Sequence, residues 1–134
     1  MSNGSIDKSP NKADEKLMQK GVDFIKANPI SQHTPGAKLD EGKPMAGLIG
    51  DFGLALTAVA EVGTFGAKKY TRGGWQYVED GEVRYRDAMW RHLLKENQET
   101  VDPDSGCAHA AQVAWNALAR LELLLREEKK NVGA

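Results

Sequence analysis

Five side chains in the C-terminal half of the chain could do chemistry together: His92, Asp102, His109, Gln112 and Asn116. Imidazole, carboxylate and amide groups gathered in one place can orient water, contact phosphate or hold a cation. The histidines and amides lie on two apolar-periodic segments without internal Pro or Gly, and Asp102 lies in the acidic hinge between them, the pattern of a helical hairpin. Asp102 or Asp104 can cap the second helix, with Pro103 near its first turn. At ~100° per residue, His109, Gln112, Asn116 and Arg120 fall in one stripe of that helix. Ala111, Ala114, Trp115, Leu118, Leu121 and Leu125 lie roughly opposite and read as its core face. On the earlier helix Tyr85, Met89, Trp90, Leu93 and Leu94 form the apolar side, and His92 sits at its edge.

The elements that must position this set begin upstream. Residues 1–12 are polar and read as a disordered arm. Ala13 to Ala27 fits a helix with Leu17, Gly21, Phe24 and Ile25 along one side, stopped by Pro29. The Gly36–Pro44 stretch holds a Gly-Lys pair but is no phosphate-binding P-loop: five residues separate Gly36 from Gly42 where the motif has four, and Pro44 stands where Ser or Thr would hold the metal. Lys38 and Lys43 remain either phosphate partners or a solvated turn. Met45 to Ala67 is the most apolar part and favours a helix despite its glycines. Glu61 is the one charge between Phe52 and Ala67. It is either an exposed edge or a metal ligand, because a buried lone carboxylate is costly. Lys68, Lys69 and Arg72 beside Tyr70 and Trp75 pair charge with stacking surface, although a helix C-terminus attracts lysines on dipole grounds alone.

At 134 residues, with 40% hydrophobic residues and a formal charge of −1, the chain has the size of one domain and no field that would draw it to nucleic acid or a membrane. The single cysteine, Cys107, excludes an intramolecular disulfide, and the N-terminus lacks the apolar run of a signal peptide, so a cytoplasmic setting is expected. No stretch reads as a membrane span. Cys107 and His109 are too close in sequence to share a helix face, and no His-Asp dipeptide is available for an HD-type metal site. The chemistry left is attack on a phosphate anhydride assisted by Mg²⁺ or Mn²⁺, with Glu61, Glu96, Glu99 and Asp102 as candidate ligands and Glu61 and Asp102 first among them.

Gly-Ala-Lys-Leu-Asp-Glu-Gly-Lys-Pro at 36–44, Thr-Phe-Gly-Ala-Lys-Lys-Tyr at 64–70, Arg-His-Leu at 91–93 and Asp-Pro-Asp-Ser-Gly-Cys-Ala-His at 102–109, followed by Asn116, occur in order. In that order they resemble the phage-associated dATP/dGTP diphosphohydrolase N-terminal domain family, itself similar to the MazG-type all-α nucleoside triphosphate pyrophosphatases. The resemblance covers about residues 36–126. It implies a helical bundle, usually oligomeric, that converts a purine (deoxy)nucleoside triphosphate to monophosphate and pyrophosphate with a divalent metal. Gln112 replaces the second His of the family's His-x-x-His, Gly74 replaces an Asn before the Trp, and Glu61 stands alone where MazG-type proteins carry Glu-x-x-Glu.

The candidate site assembled from residues and resemblance has His92 and His109 as catalytic groups and Glu61 and Asp102 as metal ligands. Its substrate contacts are Lys38, Asp40, Lys43, Lys68, Lys69, Arg72, Trp75, Arg91 and Asn116. Two functions stay open: a metal-dependent hydrolase of purine nucleotides, or a non-catalytic binder that sequesters a nucleotide signal in host defence. The expected architecture is an all-α bundle built on the apolar central helix and the C-terminal hairpin, with an arm over 1–35, a nucleotide-binding domain over 36–128 and a frayed tail over 129–134. Helices are expected at 48–66, 83–97 and 104–127, burying Phe52, Leu56, Val59, Trp90, Leu94, Trp115, Leu118 and Leu121. So short a bundle points to a homo-oligomer.

Overall fold

The computed structural model describes residues 9–27 and 31–133. Most of the polar arm and the Pro29 stop lie outside the described residues. The chain divides after Pro44 into two compact units.

The first unit holds helix α1 (Lys12–Ala27). Asn11 caps it, its side-chain oxygen accepting from the N–H groups of Ala13 and Asp14 at 2.9 and 3.0 Å, while Asp14 accepts from the Asn11 N–H at 3.2 Å. This reciprocal pair satisfies donors that a helix start leaves open. Beyond it, Lys38, Asp40 and Lys43 form an exposed turn of their own. The Lys43 N–H donates to the Asp40 carbonyl, Gly42 takes φ +76°, and Lys38 pairs with the Asp40 carboxylate at 3.1 Å.

The second unit is the helical one. A 3₁₀ segment (Ala46–Phe52) leads into α2 (Gly53–Lys69); a short 3₁₀ turn (Gly74–Tyr77) follows, then α3 (Gly81–Lys95) and α4 (His109–Val132). There is no strand among the described residues, only one isolated bridge between Val101 and Ala108. The all-α bundle and its C-terminal hairpin are as the periodicity predicts. The helix that packs against both others, however, is α4 rather than the apolar α2. Its last turns continue through the segment expected to fray, as far as Val132.

The start of α4 differs from expectation for a local reason. Asp102 does not cap the helix. Its carboxylate accepts from the Asp104 N–H and from the Ser105 hydroxyl, which closes a turn, and Gly106 then takes φ +70°. The turn is clamped by antiparallel bonds: Asp102 N–H to the Cys107 carbonyl at 2.9 Å and His109 N–H to the Thr100 carbonyl at 3.0 Å. Helix geometry therefore begins only at His109, with its first N–H already occupied.

The largest departure concerns which face of α4 is inside. His109, Gln112 and Asn116 are buried, with Ala111 and Ala119 beside them. Val59 is buried and Trp115 half-buried, as expected. Phe52, Leu56, Trp90, Leu94, Leu118 and Leu121 are exposed, Phe52 at 58% and Leu121 at 52%. A polar stripe can go inside when every group on it finds a partner. Here none of the buried side-chain nitrogen or oxygen atoms among the described residues lacks one. The leucines on the opposite side meet no second layer among the described residues of this unit. Ala46–Lys69 also proves, by length and composition, long and apolar enough to cross a membrane, contrary to the sequence expectation; only 11% of its most apolar window is buried.

Where α2 meets α4, closeness depends on a missing side chain. A Cβ at Gly63 would lie 2.4 Å from the Trp115 ring, and Val62, Cys107 and Ala111 form the small core around that contact. Gly63→Ala is expected to destabilise the fold by roughly 1–3 kcal/mol through overpacking, despite the better helix propensity of Ala. A thermal melt that is unchanged or raised would contradict this account of the α2–α4 contact.

Candidate functional site

Two walls enclose an open cleft of about 1580 Å³ in the second unit. One wall is the end of α2 and the turn after it, carrying Lys68, Lys69 and Arg72. The other is α3, carrying Arg84, Arg91 and Lys95. The spacing of these last three, seven and then four residues, keeps them on one side of the helix. Trp75 and Trp115 add aromatic surface between the walls. Six cations thus face three carboxylates, those of Asp87, Asp102 and Asp104. The Lys69 ammonium lies 3.4 Å from Asp104, which raises its pKa.

The aromatic floor is fixed by polar contacts at its rim. The Tyr85 hydroxyl donates to the Trp75 carbonyl at 2.7 Å, and Trp75 stands edge-on to both Tyr85 and Trp115. The Arg126 guanidinium lies 5.6 Å from the Trp75 ring and donates to Gln76 at 2.7 Å. Burial pushes the Tyr85 hydroxyl pKa up, so it stays a donor.

Asp102 anchors the polar end. The Gln112 amide donates to its Oδ2 at 2.8 Å and to Ser105 Oγ at 2.9 Å; the Ser105 hydroxyl donates to the same Oδ2 at 3.0 Å. Burial alone would raise this carboxyl, but the donors from Gln112, Ser105 and the Asp104 N–H, with His92 nearby, outweigh it and lower the pKa to about 2. Asn116 donates to the Gln112 carbonyl at 2.8 Å and so braces the helix turn that carries the amide.

Beside this lies an imidazole pair. His92 Nδ1 and His109 Nδ1 are 2.9 Å apart, and His109 Nε2 is 3.1 Å from Glu99 Oε1. His109 is 0% exposed, whereas His92 is half-buried and lines the cleft. Burial, the neighbouring His109 and the cations Lys95 and Arg91 lower the His92 pKa, against a smaller opposing effect of Asp102.

The structure therefore brings His92, Asp102, Asn116, Lys68, Lys69, Arg72, Trp75 and Arg91 to one cleft, with His109 directly behind His92. Lys38, Asp40 and Lys43 belong to the first unit. Glu61 is exposed on α2 and is not among the residues lining the cleft. The donor set does not fit a metal ion held by Glu61 and Asp102: no group of three or more His, Cys, Asp or Glu side chains among the described residues could hold one. Sequence reasoning missed Arg84 and Lys95, whose register with Arg91 was readable. It also missed Ser105, whose place in an Asp-Pro-Asp-Ser-Gly turn carried the signal.

A helical hairpin with a satisfied polar seam and a cleft rich in cations beside it defines an all-α protein. Residues 33–132 match the family described as dATP/dGTP diphosphohydrolase, N-terminal, and the chain belongs to that family. The family's description points to hydrolysis of dATP or dGTP. No curated protein and no solved structure matches the chain.

The Asp102 network has a pH signature. A carboxyl depressed in the folded state contributes stability that is present above its ordinary value of 3.8 and is lost as pH falls toward about 2. Gln112→Leu is expected to return Asp102 toward the ordinary range in a carboxyl NMR titration and to move acid unfolding to higher pH. An unmoved titration would show that Ser105 and the Asp104 N–H suffice.

Proposed function

We propose that the cleft binds a purine deoxynucleoside triphosphate and that the protein hydrolyses it to monophosphate and pyrophosphate. The observation that carries this reading is the pair of cationic walls converging on aromatic surface: Lys68, Lys69 and Arg72 opposite Arg84, Arg91 and Lys95, with Trp75 and Trp115 between. Charge-assisted contacts suit a triphosphate, and indole faces suit a base. Membership of the family adds the substrate class. Asn116, in the lining of the cleft, supplies an amide for a base or ribose edge. Any Mg²⁺ or Mn²⁺ would enter largely on the nucleotide's own phosphate oxygens, as magnesium commonly does. In a phage-infected cell such an activity would reshape the deoxynucleotide pool.

Replacing Lys68 and Arg91 with Ala, singly, is expected to weaken dGTP or dATP binding by roughly 1–3 kcal/mol per lost contact, with little change in melting temperature. Titration calorimetry that gives unchanged affinity would remove these side chains from the site. A second reading has its own support: Asp102 is occupied by protein donors, and the described residues offer no three-donor metal cluster. On that reading the protein holds the nucleotide as a sponge. Tight binding without pyrophosphate release in Mg²⁺ or Mn²⁺ would select it.

Both readings involve a homo-oligomer. Phe52, Leu54, Trp90, Leu94, Leu118 and Leu121 are exposed, most of them by half or a little more, so covering what remains of each gains roughly 1–2 kcal/mol. Together they rival the net stability of a whole domain. Light scattering at micromolar concentration is expected to give at least a dimer, and Leu118→Lys with Leu121→Lys to give monomer. A monomeric wild type would rule the assembly out.

A further inference from the structure

We propose that Glu99, through His109, fixes the tautomer of His92 so that a bare Nε2 faces the cleft as a proton acceptor. This deepens the functional reading above, but its structural half does not depend on turnover. The argument runs through donors and acceptors. A carboxylate can only accept, so the 3.1 Å contact from His109 Nε2 to Glu99 requires the proton on that nitrogen. A neutral His109 then has a lone pair on Nδ1. His92 Nδ1 lies 2.9 Å from it and has to donate. His92 has thereby spent its one proton, and its Nε2 is left unprotonated at the cleft that the ring lines. Free imidazole has no such constraint; here the order is imposed from a carboxylate two hydrogen bonds away.

The surroundings favour one shared proton rather than two. His109 is fully buried, and among the described residues Glu99 is the carboxylate in contact with it. Around His92 stand Arg91 and Lys95 on its own helix, Asp102 on the hinge and His109 on α4; burial and the cations keep it neutral below its ordinary range. Proton transfer along the chain balances. Water attacks phosphorus and gives its proton to His92 Nε2, while the His92 Nδ1 proton passes to His109 Nδ1. The electron pair of the broken P–O bond leaves with pyrophosphate. The positive charge ends on His109 beside Glu99, where it is paired. His92 is then the group that touches the reacting water, and His109 and Glu99 are positioning residues.

The Glu99 side chain, 40% exposed, reaches the fully buried His109 ring through this one contact and so ties it to the surface. The test is long-range ¹H–¹⁵N NMR of the full chain at neutral pH, which reads the protonated nitrogen of each imidazole; with three histidines the spectrum is assignable. The expected result is His92 protonated at Nδ1 and bare at Nε2, with His109 protonated at Nε2 and bare at Nδ1. His92 carrying the proton on Nε2, or His109 carrying one on Nδ1, overturns the relay whether or not the protein turns over nucleotide. Glu99→Leu provides the second arm. It is expected to release the tautomer order, to lower kcat by at least about ten-fold and to leave KM within about two-fold. Unchanged tautomers in a folded Glu99→Leu protein also overturn the proposal. A wild type that binds nucleotide without turnover, yet shows the stated tautomers, sinks the hydrolase reading and leaves the acceptor at His92 in place as a ligand contact.

Discussion

The contact on which the second unit depends is the hydrogen bond between two imidazoles 2.9 Å apart, one on α3 and one at the first residue of α4. It decides which way α4 is turned. With His109 locked against His92 and Glu99, Gln112 and Asn116 follow one and two turns later on the same side. That rotation places the Gln112 amide against Asp102, sets the Asn116 amide on the Gln112 carbonyl, and leaves Leu118 and Leu121 outward. A helix with a stripe of leucines ordinarily buries it first, because apolar area removed from water is the main driving force of folding. Here the satisfied polar stripe takes the inner position, and the apolar one is left over.

The electrostatics divide along the same line. The walls of the cleft are cationic and exposed, where lysine and arginine cost little to charge. The inner end holds the ionised Asp102, embedded in neutral donors from Gln112, Ser105 and the Asp104 backbone. A carboxylate can be kept charged there because three donors replace the water it loses. A histidine at position 112 would bring a titratable group to that carboxylate. An amide keeps the same bond at every physiological pH, so Gln112 acts as a constitutive brace.

Much of this was legible in the residues. The hairpin followed from two glycine-free periodic runs about an acidic hinge, and the convergence of His92, Asp102 and Asn116 followed from their register. The basic turn after α2 declared itself through Lys68, Lys69 and Arg72. What stayed hidden was relative rotation. A helical wheel shows that His109 and Leu121 lie on different sides, yet it cannot say which side wins the interior; that depends on partners at Glu99 and Ser105 supplied by a loop of no regular period. Glu61 could be read two ways, as an exposed edge or as a metal ligand, for a related reason. The helix exposes that side, so the charge meets no burial penalty. The turn at 102–106 was misread because the same Asp that caps helices also caps loops.

The connection that carries Asp102 joins partners close along the chain. Glu99 and His109, like Asp102 and Gln112, are ten residues apart, whereas Lys69 reaches Asp104 across thirty-five. Closing the longer loop costs about 1 kcal/mol more in chain entropy than closing the shorter one. The exposed ion pair at its end returns no more than that. The imidazole and amide contacts therefore rest on short chain closures, while the Lys69–Asp104 pair at the mouth of the cleft rests on a long one and contributes the least to holding it.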